Sequence, residues 1–135
     1  MNGAGRDEAG PPDPTVEFFA RIGQGRPAML SEAVRATLRI ELDDGARTVY
    51  WFVSIDRGTV RVAAERRAAD AVMRTSKEFF DRLVRGEANL FAALVRNAVV
   101  NEGDVTVLAH LRKLLTGMAH MQDPPWVNSG GRGRG

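Results

Sequence analysis

Cysteine is absent from the 135 residues, which excludes disulfides, thiolate catalysis and cysteine-ligated metal sites. Two histidines and one tyrosine are a small stock for general acid–base chemistry. Charge of one sign is lacking too. Nineteen basic against seventeen acidic residues leave a net +2, too balanced for a nucleic-acid footprint. No apolar run approaches the roughly 18 residues of a membrane span. The opening residues, Met1 to Glu8, are Gly, Asn, Ala and charge without the apolar stretch of a secretory signal. These absences lead us to expect a cytoplasmic protein with no cofactor, no bound metal, no nucleic-acid partner and no stable membrane insertion.

What is present is an ordinary globular composition, 44% hydrophobic and 27% charged, in a length that suits one domain. We expect that domain over residues 13–121. Residues 1–12, Gly, Pro and charge without periodicity, are expected to be disordered. Residues 122–135 are expected to form a flexible Gly/Arg tail, preceded by an apolar extension with Met121, Pro124, Pro125 and Trp126.

Asp13-Pro14 reads as a helix start, with Asp as N-cap and Pro in the first turn. Phe18, Phe19 and Ile22 give that helix one apolar side, and Gly23-Gln24-Gly25 ends it. A short helical turn is expected between Pro27 and Val34. Strands follow. Leu38, Ile40 and Leu42 alternate with Arg39 and Glu41, the period of a half-buried strand over 37–42. Asp43-Asp44-Gly45 reads as a tight hairpin turn into a strand over 47–56, with Val49, Trp51, Val53 and Ile55 on one face and Tyr50 and Phe52 on the other. Asp56-Arg57-Gly58 turns into a third strand, 59–64. The three make an antiparallel meander, and short strands are expected at 71–74 and 99–102.

Between and after those two lie three helices. Thr75 and Glu78 have capping-box spacing, and Gly86 supplies the left-handed residue that ends the helix. Asn89 can cap the next helix, and Asn97 is expected at positive φ. Gly103-Asp104 breaks the fifth strand and caps the last helix. That helix carries Val107, Leu108, Leu111, Leu114, Leu115 and Met118 as one stripe, opposite Thr106, His110 and Lys113.

Reactive constellations are scarce. His110 is read as a solvated residue on the polar face of the last helix, and His120 has no Asp, Glu or Ser at a telling spacing. Asp43, Asp44 and Asp56 sit where turns want Asp for backbone reasons. Gly23-Gln24-Gly25 follows a helix and not a strand, so it is no dinucleotide fingerprint. Gly131-Arg132-Gly133-Arg134 is too short for an RNA-binding repeat.

The order of elements, with Ala69-Asp70-Ala71-Val72-Met73, Gly86-Glu87-Ala88-Asn89 and Gly103-Asp104 before a Leu-rich helix, resembles the sterol carrier protein type 2 family, in particular stand-alone actinobacterial members. The hairpin strands, with Trp51 in the second, add to the match. The resemblance spans about residues 14–118. One departure is Asn97, where many members have Gly; both residues hold a left-handed backbone. The resemblance implies an α+β fold, a five-stranded mixed, mostly antiparallel sheet covered by helices. It implies no catalytic motif and so no enzyme, but an apolar tunnel that binds or transfers a sterol, fatty acid or acyl-CoA. Carried over as apolar residues on matching elements, the candidate lipid-binding positions are Trp51, Phe79, Leu83, Phe91, Leu94, Val95, Leu108, Leu111, Leu115 and Met118. The residues after Gly117, with Met118, Met121 and Trp126, are read as a flap or an interchain contact. The alternative is a dimerisation or protein-interaction module with a collapsed core, which leaves a homodimer open.

Overall fold

The computed structural model describes residues 13–24 and 30–121, with side chains described as far as residue 117. The expectations for 1–12 and 122–135, and for Met118, His120, Met121 and Trp126 as side chains, lie outside the described residues. Helix α1 (Pro14–Ile22) is followed by strands β1 (Arg35–Asp43), β2 (Thr48–Asp56), β3 (Thr59–Ala63) and β4 (Ala71–Ser76). Helices α2 (Lys77–Val84) and α3 (Leu90–Val95), strand β5 (Val100–Gly103) and helix α4 (Thr106–Met121) complete the chain. One sheet has the order β3-β2-β1-β4-β5. The meander pairs antiparallel, β4 joins β1 in parallel with Ile40 beside Met73, and β5 pairs antiparallel with β4.

The alternation of β1 decides which side carries the core. Ala36, Leu38, Ile40 and Leu42 are buried, and they join Val53, Ile55, Val60 and Met73 under the helices. Phe18, Phe19 and Ile22 of α1, Phe80 and Leu83 of α2, and Leu108, Leu111 and Leu114 of α4 complete that layer. The opposite face holds charge. Glu41 lies between Arg39 (2.8 Å) and Arg74 (2.9 Å), and Arg74 reaches on to Glu102 at 2.7 Å. Burial pushes the Glu41 carboxyl up, but its hydrogen bonds and attraction to the two arginines outweigh that and hold it below the usual range. On the same face Phe52 is buried beneath the Arg67 guanidinium, 4.6 Å from its ring.

Caps set the helix boundaries. The Asp13 carboxylate accepts from the amides of Thr15 and Val16. At α2 the expected cap at Thr75 is corrected to Ser76, whose hydroxyl accepts from the Phe79 amide. Thr75 is still strand, its hydroxyl donating to the Ala98 carbonyl. β4 therefore runs into α2 with no linker. Helices α2 and α3 end alike. Gly86 (φ 77°) follows α2, and the Glu87 amide donates back to the Arg82 carbonyl at 2.8 Å. Asn97 (φ 63°) follows α3, and Ala98 donates back to Ala93 at 2.9 Å. A further expectation needs correction. The first hairpin loop has four residues, 44–47, closed by Asp44 side-chain bonds to Ala46 and Arg47, where a tight turn was expected. Within 30–34 one hydrogen-bonded turn is present, the Val34 amide donating to the Ser31 carbonyl at 3.1 Å, and residues 25–29 lie outside the description.

Asn97→Gly is expected to be neutral or mildly stabilising, and Asn97→Val to cost about 1–2 kcal/mol through left-handed backbone strain. Urea titration of both variants checks this; equal stabilities would refute it.

Candidate functional site

Where β4 passes into α2, a polar cluster ties α1 to α2. The Thr15 hydroxyl, buried, donates to Asp81 at 2.6 Å, and Lys77 bridges Asp81 (2.9 Å) and Asp13 (3.0 Å). Burial alone would lower the Lys77 ammonium, but its bonds to Asp81 and Asp13 raise it. Above that cluster, Phe19 lies between Trp51, 4.4 Å away at 19°, and Phe80, 5.6 Å away at 8°. Phe18 meets both Phe19 and Phe80 edge-on. These rings fill the space between the sheet, α1 and α2.

Open space lies at both ends of α2: a recess of about 420 Å³ lined by Asp43, Asp44, Gly45, Ser76, Lys77, Glu78 and Asp81 at its start, and a space with an apolar floor at its other end. A cavity of about 240 Å³ is lined by Leu83, Gly86, Ala88, Asn89, Leu90, Arg112, Leu115 and Thr116. It exists because the left-handed Gly86 turns the chain away from α2 while Asn89, accepting from the Ala92 amide, starts α3 at a new angle. α4 closes the third side. Its lining has two kinds of surface. Leu83, Leu90 and Leu115, all at 5% exposure or less, form an apolar floor. Exposed Arg112 stands at the rim with its guanidinium 5.7 Å from the Phe91 ring centroid, and it has no carboxylate partner among the described residues. An apolar floor with a cation at the rim can take an amphiphile with an anionic head. Among the described residues no group of three or more His, Asp or Glu side chains is placed to hold a metal ion.

The ten positions proposed from sequence divide unevenly around this cavity. Leu83 and Leu115 line it. Phe91 is half-buried beneath Arg112 at its edge, and Leu94 is half-buried against the core. Leu108 and Leu111 are buried under α4 without reaching the cavity. Trp51 is committed to Phe19, and Phe79 is half-buried with the Arg82 guanidinium 5.4 Å from its ring. Val95 is 84% exposed on the outer side of α3 and so does not line the cavity. The Met118 side chain lies outside the described ones. Sequence reasoning missed Gly86, Ala88, Asn89, Leu90, Arg112 and Thr116. The Gly86–Asn89 stretch carried the signal, read there as helix punctuation; Arg112 and Thr116 carried none.

The sequence profile of the SCP-2 sterol transfer family matches residues 19–116, well over half of the chain. The chain belongs to the SCP-2 sterol transfer family. Solved structures agree in fold. Palmitated SCP2L2 from Aedes aegypti is 16% identical, with 76% of this chain and 91% of that one covered and a TM-score of 0.61. Sterol Carrier Protein-2 from Aedes aegypti in complex with palmitate is 15% identical, covering 78% and 93%, with a TM-score of 0.59. The inverting sec-alkylsulfatase Pisa1 from Pseudomonas sp. is 18% identical over 62% of this chain and 13% of that chain, with a TM-score of 0.51. No curated protein is matched in sequence at significance. The sheet with helices over it is the fold shared with those structures, and no described helix is long and apolar enough to cross a membrane.

His110 departs from its expected solvated position. It is half-buried on α4, and its Nδ1 is one of two buried side-chain atoms without a hydrogen-bond partner among the described residues, the other being Asn101 Oδ1. Burial lowers the imidazole pKa from its ordinary 6.5, Lys113 lowers it further, and Asp104 pulls it back up in part. Since the unfolded chain binds this proton first, stability should fall as pH drops below about 6.5, until the folded pKa is passed. Asp13, Glu41 and Asp104, all held below their ordinary values, lose their contributions only at more acid pH. Denaturant titration between pH 7.5 and 5.5 should show the slope in the native sequence and lose it in His110→Gln. An identical slope in both would exclude His110 as its source.

Proposed function

We propose that this domain is a non-enzymatic lipid carrier, holding a lipid with a single acyl chain in the cavity between α2, α3 and α4. Arg112 at the rim pairs with an ionised headgroup. The observation that carries the reading is one cavity joining the floor of Leu83, Leu90 and Leu115 to a guanidinium without a carboxylate partner among the described residues. Family membership supports it, as does palmitate in two proteins of the same fold.

The mechanism is sequestration. Withdrawing a C16 chain with roughly 400 Å² of apolar surface from water yields about 10 kcal/mol, and association costs roughly 4–15 kcal/mol. These terms are close, so affinity depends on how little the protein must rearrange. The 240 Å³ cavity is smaller than the roughly 300–1,000 Å³ of typical ligand pockets. Lodging a long chain therefore means shifting α4 relative to α2 and α3, which brings Leu108 and Leu111 into the lining. The charged rim favours a fatty acid or acyl-CoA over a sterol, because a carboxylate or phosphate meets Arg112 in a charge-assisted bond.

The close-packed interior is also what an interaction module with a collapsed core would show. The fold's match to a stretch amounting to 13% of a sulfatase chain favours the same rival. Displacement of a fluorescent fatty acid separates the two. Palmitate should displace it, and Arg112→Gln should weaken palmitate roughly tenfold while leaving cetyl alcohol unchanged. Ala88→Trp, which fills the cavity from a half-buried position, should abolish binding while circular dichroism stays native. Failure of palmitate, palmitoyl-CoA and cholesterol alike would leave the interaction module.

A further inference from the structure

We infer that the open face of the sheet carries a second ligand site, for a small organic anion whose carboxylate or phosphate sits on a compact apolar body. A cavity of about 250 Å³ lies there, with Thr37, Phe52, Ser54, Arg61, Ala63 and Arg67 in its lining. Strand register puts these residues side by side. Thr37 pairs with Ser54 and Ser54 with Arg61, one row across β1, β2 and β3. Phe52 and Ala63 pair in the next row. Both rows alternate with Leu38, Val53 and Val60, which point into the core, so this site lies across the sheet from the helices. It does not depend on the lipid-carrier reading.

The segment 64–70, which joins β3 to β4, is pinned to β1 at two points beside the cavity. Arg39 donates to the Arg67 carbonyl at 3.0 Å, and Arg39 is itself held by Glu41 at 2.8 Å. Asp70 exchanges two bonds with Thr37, its amide donating to the hydroxyl at 2.8 Å and its carboxylate accepting from the Thr37 amide at 3.0 Å. Arg67 is thereby brought over Phe52, with its guanidinium 4.6 Å from the ring. Phe52 is left only 6% exposed on the side of the sheet that no helix covers.

The donors around this space are unspent. Arg61 and Ser54 have no hydrogen-bond or ionic partner among the described residues. The Thr37 hydroxyl accepts from the Asp70 amide, which leaves its proton to donate. Arg67 meets Glu65 only at 4.0 Å, with both side chains more than half exposed. Other carboxylates nearby are engaged, Asp56 by Arg35 at 3.3 Å and Asp70 by the Thr37 amide. Two guanidiniums and two hydroxyls lining one space call for a group that only accepts, which is an oxoanion. Phe52 and Ala63 add an apolar side. The space is smaller than the roughly 300–1,000 Å³ of drug-sized pockets, and no helix stands over it that could move aside to lengthen it. A body of one ring therefore fits where a long chain does not. The strands and the pinned segment already hold the backbone of each donor, so binding orders side chains alone.

Amide NMR titration of the full chain tests the site, with phenyl phosphate and benzoate as probes and with inorganic phosphate and benzyl alcohol as controls. At least one probe should shift the Thr37, Ser54 and Arg61 amides saturably, with half-saturation at or below about 1 mM. Tighter binding of phenyl phosphate assigns the anion as a phosphate, and tighter binding of benzoate as a carboxylate. Arg61→Gln and Arg67→Gln should each weaken the better probe about tenfold. Arg47→Gln, in the hairpin at the far end of β1 and β2, should leave it unchanged. Fatty-acid displacement should be the same in all three variants as in the native chain. No saturable shift with either probe, equal affinity for either control, or equal weakening by Arg47→Gln would overturn the site, whether or not palmitate binds under the helices.

Discussion

The seating of α1 and α2 on the sheet rests on the stacking of Phe19 between Trp51 and Phe80. Those three rings come from α1, β2 and α2, far apart in sequence, and their near-parallel planes set how closely both helices approach the sheet. A buried Phe contributes about 1.5–3 kcal/mol by transfer alone, and ring pairs add about 0.5–1.5 kcal/mol each. The Lys77–Asp81–Asp13 cluster with the Thr15 hydroxyl then fixes the rotation of α1 against α2. Apolar stacking supplies the adhesion and the polar cluster supplies the register.

With α1 and α2 clamped at one end, a space with an apolar floor remains at the other. Gly86 ends α2 by reversing the chain, and Asn97 ends α3 by the same backbone device eleven residues later. Helix α3 is therefore a short arm held by two left-handed turns, resting on the core through Leu90 and Ala93 and presenting Phe91 and Val95 outward. Such an arm can tilt with less loss of buried surface than α1 or α2 could. A cavity beside it is placed where the domain can open most cheaply.

Periodicity made most of the fold legible. The two-residue alternation of Leu38, Ile40 and Leu42, the paired turn residues and the Leu stripe after Asp104 each reflect a local rule, and strands and helices formed within one to three residues of where those rules put them, α4 running longer. Thr75 misled by one position because β4 pairs as far as Ser76, so the last paired residue is also the one whose hydroxyl caps α2. The site was less legible. Leu83 and Leu115 line the cavity, since cavity floors and cores share residue types. Val95 was misplaced because apolar character alone does not say which side of a six-residue helix faces inward.

The sequence by itself determined the class of the domain, its element order and its poverty of reactive groups, because these follow from residue type and spacing, and its family, through the profile that matches residues 19–116. Only the tertiary structure decided that Trp51 is a stacking partner for Phe19, that His110 is half-buried with an unpaired Nδ1, and that Arg112 stands over a ring at a cavity rim. Each of those depends on which elements meet in space. Contacts between α4 and the turn after Gly86 join residues some 25 positions apart, and no local pattern encodes them.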